Sequence, residues 1–291
     1  MIDRSQQRRA LRAAIEARNA VVAPGVFDLI SARLADSEGF DVLYMTGYGV
    51  SASYLGLPDA GLATYTDMQS CLQRIATICR TPLIADADTG YGGPLNVRHT
   101  VQGYERAGAA GIQIEDQTHP KRCGHTLGRT CIPVDEMVTK IRVALDSRGD
   151  PDFLVIARTD ARTAYGLDEA IRRAIAYRDA GADLVFVESP ETEEELAEIV
   201  RRVNCPLVAN MVEGGRTPLL DRAALAALGY ALVLFPATGF LAAGAILRRV
   251  YGTLKADGAS AALRDELDDF DRFNRTVGFE DVWAFEQRYG N

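Results

Sequence analysis

Lysine is nearly missing: of the 32 basic residues only Lys121, Lys140 and Lys255 are lysines, and the rest are arginines spread along the chain. With a formal net charge of −8, nothing resembles the clustered cationic face that nucleic acid requires. No apolar run reaches the ~20 residues that span a bilayer. The opening MIDRSQQRRALRAAIEARNA lacks the apolar core of a signal peptide. Neither nucleic acid nor membrane is therefore expected as a partner. The five cysteines are odd in number and follow no framework spacing, which excludes a disulfide scaffold and suits reduced thiols in the cytoplasm. A GxGxxG phosphate fingerprint is also absent, which argues against a dinucleotide-binding doubly wound sheet.

What is present is a core. Of the 291 residues, 47% are hydrophobic and 25% charged, in the range of a self-folding globular chain. Eight short apolar runs recur: AVVAP at 20–24, DVLYMTG at 41–47, PLIADAD at 82–88, AGIQIED at 110–116, FLVIARTD at 153–160, ADLVFVES at 182–189, PLVANM at 206–211 and ALVLFPA at 231–237. Each is near-continuously apolar rather than alternating, as parallel strands under a coat of helices are. Between them lie amphipathic patterns such as LDEAIRRAIAYRDAG, with apolar positions three to four apart. Several end in a glycine just before the next run (SEGF, RAGA, DAGA, ALGY), where a left-handed residue closes a helix. Eight such alternations predict a (β/α)8 TIM barrel over residues 1–256. Residues 257–291 then form a helical tail, whose aromatics are expected to pack on a neighbouring subunit or on the barrel's outer helices.

Catalytic groups of such barrels lie at the C-terminal strand ends. Here those ends carry Tyr44 and Thr46, Asp86 and Asp88, Glu115 and Asp116, Arg158 and Asp160, Glu188, and Asn210. Asp86 and Asp88 are two apart, so on an extended strand both would face the mouth. Carboxylates with room for water suit Mg²⁺, although an Asp pair also caps helices and turns. Arg158 can grip a carboxylate and stabilise developing negative charge, or form an ion pair with Glu188 or Asp160.

After the fourth run comes a long connection, IEDQTHPKRCGHTLGR, that crowds His119, Lys121, Arg122, Cys123 and His125 together, with Cys131 just beyond. Long loops on this face are often lids. Three readings of the cysteine stand side by side. His119, Cys123, His125 and Cys131 could bind zinc. Neighbouring cations could depress the thiol's pKa and make a nucleophile. Alternatively the thiol could be a general acid toward a carbanion. NMVEGGRTP after the seventh run and the Gly47 turn after the second offer backbone N–H groups for an anion.

Taken together, TGYGVSASYLGLPD, DADTGYG, IEDQTHPKRCGH, IARTDAR and ANMVEGGRTP resemble the isocitrate lyase/phosphoenolpyruvate mutase superfamily, in order and spacing, from about Pro24 to Gly239. The resemblance implies a barrel that assembles as a homotetramer with its eighth helix exchanged between subunits. It also implies a Mg²⁺ site (Mn²⁺ an alternative) for small 2-oxo or 2-hydroxy acids. Asp88 would be the direct metal ligand, with Asp86 and Glu115 holding metal-bound waters. Tyr44, Thr46, Gly47, Tyr48, Asp59, Gly124, Arg158 and Asn210 would bind substrate. Catalysis would involve Cys123 as general acid, helped by Arg158, His125, Lys121 and Glu188, with Tyr44 a candidate base. The KRCGH loop implies carbon–carbon cleavage. Thr46-Gly47-Tyr48, and Leu241 in FPATGFLAA, depart from the methylisocitrate-cleaving pattern and favour a smaller alkylmalate-type acid. Carboxyphosphonoenolpyruvate mutase and oxaloacetate hydrolase activities are the alternatives on this scaffold.

Overall fold

Strands form where the apolar runs lie: β1 Val21–Val26, β2 Leu43–Met45, β3 Leu83–Asp86, β4 Gly111–Glu115, β5 Leu154–Thr159, β6 Leu184–Val187, β7 Leu207–Asn210 and β8 Leu232–Phe235. In the computed structural model, which describes residues 3–290, they pair in sequence order, all parallel, and β8 closes onto β1 through Val21↔Leu232 to Pro24↔Phe235. The helices are α1 Arg4–Glu16, α2 Leu29–Ser37, α3 Gly47–Val50, α4 Tyr65–Ile78, α5 Pro94–Ala107, α6 Val134–Ser147 and α7 Ala161–Tyr165. They continue with α8 Leu167–Asp179, α9 Glu193–Val203, α10 Arg222–Leu228, α11 Thr238–Asp257, α12 Phe270–Thr276 and α13 Phe279–Tyr289. The expected (β/α)8 barrel is what the chain forms.

Local chemistry explains the helix limits. Asp28 and Thr64 open α2 and α4 with reciprocal capping boxes. Gly108 and Gly229 close α5 and α10 at φ 102° and 103°, the left-handed conformation that glycine adopts without penalty.

The core has two shells. Outward strand residues such as Ile112, Ile114, Val155 and Val185 pack under the helices with Leu72, Ile75, Ile141 and Ile171. Inward residues fill the barrel: Val21, Val42, Ile84, Leu154, Ile156, Leu184, Phe186, Leu232 and Leu234, joined by Leu11 and Ile15 of α1. The filling is apolar near the strand starts, so polar groups that face inward collect at the other end.

The chain divides into two compact units at Thr238/Gly239. From Gly239 onward α11 falls in the second unit with the tail, and none of its twenty side chains is buried. In the second unit Leu263 is the buried hydrophobic, while Phe270, Phe279, Trp283, Phe285 and Tyr289 remain exposed in the single chain. Among the described residues no helix is long and apolar enough to cross a membrane.

Candidate active site

Asp86 ends β3, and the strand stops there: Asp88 has φ 47°. The pair therefore does not converge by simple strand alternation. The turn brings Asp88 round so that its backbone N–H donates to Asp86 Oδ1 at 3.1 Å. Gly47 N–H, at the start of α3, donates to Asp86 Oδ2 at 3.3 Å, and a Cβ on Gly47 would lie 2.5 Å from that oxygen. Only glycine lets the two elements approach so closely.

Lys121 lies among these acids, not beside the cysteine. Its ammonium hydrogen-bonds Asp59 and pairs with Asp88 Oδ1 at 2.7 Å. Burial opposes the charge on Lys121, but Asp88 and Asp59 outweigh it and hold its pKa well above the ordinary range. Burial, with Asp86 and Asp59 adding to it against Lys121, pushes Asp88 up to about 7. A cavity of about 630 Å³ adjoins this pair, lined also by Tyr65, Tyr91, His99 and His119.

Arg158 crosses the mouth from β5. Asp160 takes it bidentately through Nε and Nη2 at 2.9 and 2.8 Å, Nη1 lies 3.4 Å from Glu115, and Nη2 also lies 3.4 Å from Glu188. The guanidinium also stacks over Phe186, 5.2 Å from the ring centre. Arg158 is thus both an ion-pair hub and a mouth residue. Burial raises Glu115 well above the usual carboxylate range despite Arg158. Arg158 and Arg129 overcome burial at Asp160 and keep it ionised. Burial, then Asp86, lifts the Tyr44 phenol well above its ordinary pKa. Tyr44 stays protonated and can donate a hydrogen bond, which argues against it as the base.

Residues 116–131 form a docked loop. Gln117 pairs with Cys131 as an antiparallel bridge, and its amide binds both the N–H and the carbonyl of Arg122. Gly124 sits directly on the charged mouth: a Cβ there would fall 2.3 Å from Arg158 Nη2 and 2.7 Å from Glu188 Oε2. Ser189 Oγ donates to the Gly124 carbonyl at 3.0 Å, and Cys123 N–H to the Asp59 carbonyl at 3.2 Å.

The thiol's surroundings overturn the expectation that cations depress its pKa. Lys121 is held by carboxylates and Arg122 turns outward to the Leu127 carbonyl. Burial raises the Cys123 pKa, and the His125 backbone N–H does not undo that. The thiol is protonated at neutral pH, which disfavours a resting nucleophile. His125 is neutral as well, its pKa lowered by burial despite Glu188. Its Nδ1 accepts from Arg216 N–H at 3.2 Å, which leaves the proton on Nε2, 3.5 Å from Glu188 Oε1. The glycine-rich NMVEGGRTP segment thus clamps His125 through Arg216.

Asn210 donates to Glu188 Oε2 at 3.1 Å. Thr46 is buried at the start of α3 and Tyr48 is exposed. Asp116, expected at the mouth, points away: it accepts from Thr159, Arg173 and Tyr177 and from the Asp160 N–H. The sequence reading missed Arg129, which is buried against Asp160 and Thr163, and Gln117; neither stands out as a residue type. No three His, Cys, Asp or Glu side chains among the described residues are arranged to hold a metal by themselves, so the zinc reading of His119, Cys123, His125 and Cys131 fails. Nor do Asp86, Asp88 and Glu115 form a bare three-ligand set. They do fit a hydrated cation, since Glu115 Oε1 is buried without a hydrogen-bond partner in the protein and Mg²⁺ retains waters while taking one or two carboxylates.

The phosphoenolpyruvate phosphomutase family profile matches residues 11–255. 2,3-Dimethylmalate lyase of Eubacterium barkeri is 47% identical, with 96% of each chain covered. Oxaloacetate acetylhydrolase bound to 3,3-difluorooxalacetate superposes with a TM-score of 0.93 at 36% identity, covering 99% of this chain and 98% of that one. Phosphonopyruvate hydrolase in complex with oxalate and Mg²⁺ gives 0.88 at 32% identity, covering all of both chains. With the match spanning barrel, carboxylate turn and cysteine loop alike, this chain belongs to the phosphoenolpyruvate mutase/isocitrate lyase superfamily.

Proposed function

We propose that the chain is a divalent-cation-dependent carbon–carbon lyase. It cleaves a 2-hydroxy acid of alkylmalate type to pyruvate, or glyoxylate, and a carboxylic acid, with Cys123 as general acid. The observation that carries this reading is a protonated thiol on a loop docked over Arg158 and Glu188, beside an acid cluster in which Glu115 Oε1 is buried without a partner. The 47% identity to a 2,3-dimethylmalate lyase supports the substrate class.

Asp88 would hold the cation directly, and Asp86 and Glu115 through waters. When bound, Mg²⁺ or Mn²⁺ supplies Lewis-acid polarisation of the substrate's 2-oxygen and carboxylate. The Gly47 turn, Thr46 and the Tyr44 hydroxyl bind that carboxylate, with Tyr48 and Asp59 on the same side of the mouth. The 2-hydroxyl gives up its proton to solvent, and the bond from C2 to C3 breaks as C2 becomes a carbonyl. The electron pair left on C3 is stabilised by its own carboxylate. Arg158, Lys121, Asn210 and the Nε2–H of neutral His125 orient that charge, while Glu188 holds Arg158 and Asn210 in place. Cys123 then protonates C3, and the thiolate takes a proton back from solvent after product leaves.

A second reading, hydrolytic cleavage of oxaloacetate, is favoured by the 0.93 TM-score to an oxaloacetate acetylhydrolase. Its product is oxalate, and Arg158 and Cys123 keep the same roles. The exposed aromatics of the tail and the unburied α11 support a homotetramer with α11 exchanged between subunits. Five free cysteines suit a reducing cytoplasm.

The test supplies Mg²⁺ and a panel of 2,3-dimethylmalate, other 2-alkylmalates, methylisocitrate, isocitrate and oxaloacetate, and follows pyruvate, glyoxylate and oxalate. Cys123→Ser should lose at least ~100-fold in kcat, the usual scale for a general acid, while still binding substrate. Metal-independent turnover, or full activity in the mutant, would sink the mechanism.

A further inference from the structure

One inward residue of β4 has no role in the chemistry above. Ile112 and Ile114 pack outward under the helices, so alternation turns Gln113 into the barrel, two positions before Glu115. Its register partners are Asp86 of β3 and Ile156 of β5, and Ile156 is part of the barrel filling. Gln113 is 1% exposed, and neither its Nε2 nor its Oε1 has a hydrogen-bond partner in the protein. An unpartnered buried amide is destabilising, and an aliphatic side chain of the same size would fill the place at less cost. Glu115 Oε1, two positions on along the same strand, and Asn210 Oδ1, at the end of β7, are likewise buried without partners. The amide therefore lies at the floor of the same polar space.

We propose that Gln113 is a positioning residue for the divalent cation. Its amide, uncharged and able both to donate and to accept, supports the water through which Asp86 and Glu115 hold the ion. The proposal rests on the metal-dependent reading of the site. A carboxylate at this position would add another acid to an already acidic cluster. An aliphatic residue would leave the water without a support from below. An amide suits the place on both counts, and the fold accepts its burial for the sake of the ion.

The experiment measures Mn²⁺ and Mg²⁺ binding by calorimetry, and metal-free thermal unfolding in chelator, for wild type, Gln113→Leu, Gln113→Met and Gln113→His. Both aliphatic variants should bind metal ~10- to 100-fold more weakly, the usual cost of losing an outer-shell partner. Both should also unfold a few degrees higher without metal, because the unsatisfied amide is gone. Gln113→His, which keeps a donor and an acceptor, should recover most of the affinity. Unchanged metal affinity in Gln113→Leu and Gln113→Met would overturn the proposal. So would a lower metal-free midpoint, or failure of both to fold, since either marks the amide as structural. If the wild type itself binds neither ion, the metal-dependent reading fails, and that result is separate from any difference between variants.

Discussion

Gly124→Ala is the most direct probe of the docked loop. The added Cβ would sit 2.3 Å from Arg158 Nη2 and 2.7 Å from Glu188 Oε2, about 1 Å inside ordinary contact. Neither neighbour can retreat. Arg158 is held bidentately by Asp160, which Arg129 also grips, and Glu188 accepts from Asn210 and from the Ser189 N–H. The loop must yield instead, and lifting it breaks the bond from Ser189 Oγ to the Gly124 carbonyl and strains the bond from Cys123 N–H to Asp59. Two hydrogen bonds at about 1 kcal/mol each, or a comparable overpacking cost if the loop stays, disfavour the docked state by roughly 2–3 kcal/mol. That corresponds to a ~30- to 150-fold smaller docking equilibrium constant, and kcat falls by up to the same factor if Cys123 acts only from the docked loop. Steady-state kinetics together with limited proteolysis between Asp116 and Cys131 would check this: kcat should drop, cleavage within the loop should accelerate, and the unfolding midpoint should move little. An alanine variant with wild-type kcat and an equally protected loop would refute the reasoning.

Because burial raises Asp88 to about 7, above its unfolded value, the protonated form is favoured in the fold. Its contribution to metal-free stability is complete below the unfolded pKa of ~4 and is lost as pH rises through about 7. Cation binding needs the ionised form, so Mn²⁺ affinity should rise between pH 6 and pH 8 with proton release visible in buffer-dependent calorimetry; an affinity that is flat over this range would contradict the assignment. Asp116→Ala leaves the buried Arg173 guanidinium and Tyr177 hydroxyl without their shared partner, at a cost of about 3–5 kcal/mol. Thermal unfolding should shift down by roughly 10 °C, and an unchanged midpoint would show that the network does not stabilise the fold.

The eight strands are legible in the sequence because a parallel strand buried on both faces cannot hide its composition. Gly108 and Gly229 mark helix ends for an equally local reason. The mouth is legible at the level of position: Arg158, Glu188 and Asn210 stand where their strands end. Pairing is a different matter, since it depends on contacts between distant segments. Lys121 and Cys123 are two apart in sequence, yet Lys121 reaches Asp59 and Asp88 while burial governs the thiol and outweighs Arg158, so proximity in the chain misjudges the thiol's acidity. Asp88 shows a second limit. Period-two alternation carries an argument only while the backbone stays extended, and the φ of 47° at Asp88 ends it. Gln113 is visible in hindsight as the polar position in step with Glu115 inside an apolar run. Its lack of partners becomes visible only once Ile112 and Ile114 are seen to face outward.

The amide of Gln117 grips the Arg122 backbone at both its N–H and its carbonyl, while Thr118 and Thr130 link the two sides of the loop. A segment braced in this way behaves as a stiff flap, since swinging it outward need not melt its own scaffold. Little conformational entropy is then lost when it returns, and the geometry between the cysteine, its following glycine and the imidazole travels with it as a preassembled tool. Traffic through the mouth becomes a hinge problem confined to the flap's two roots, near Asp116 and Arg129.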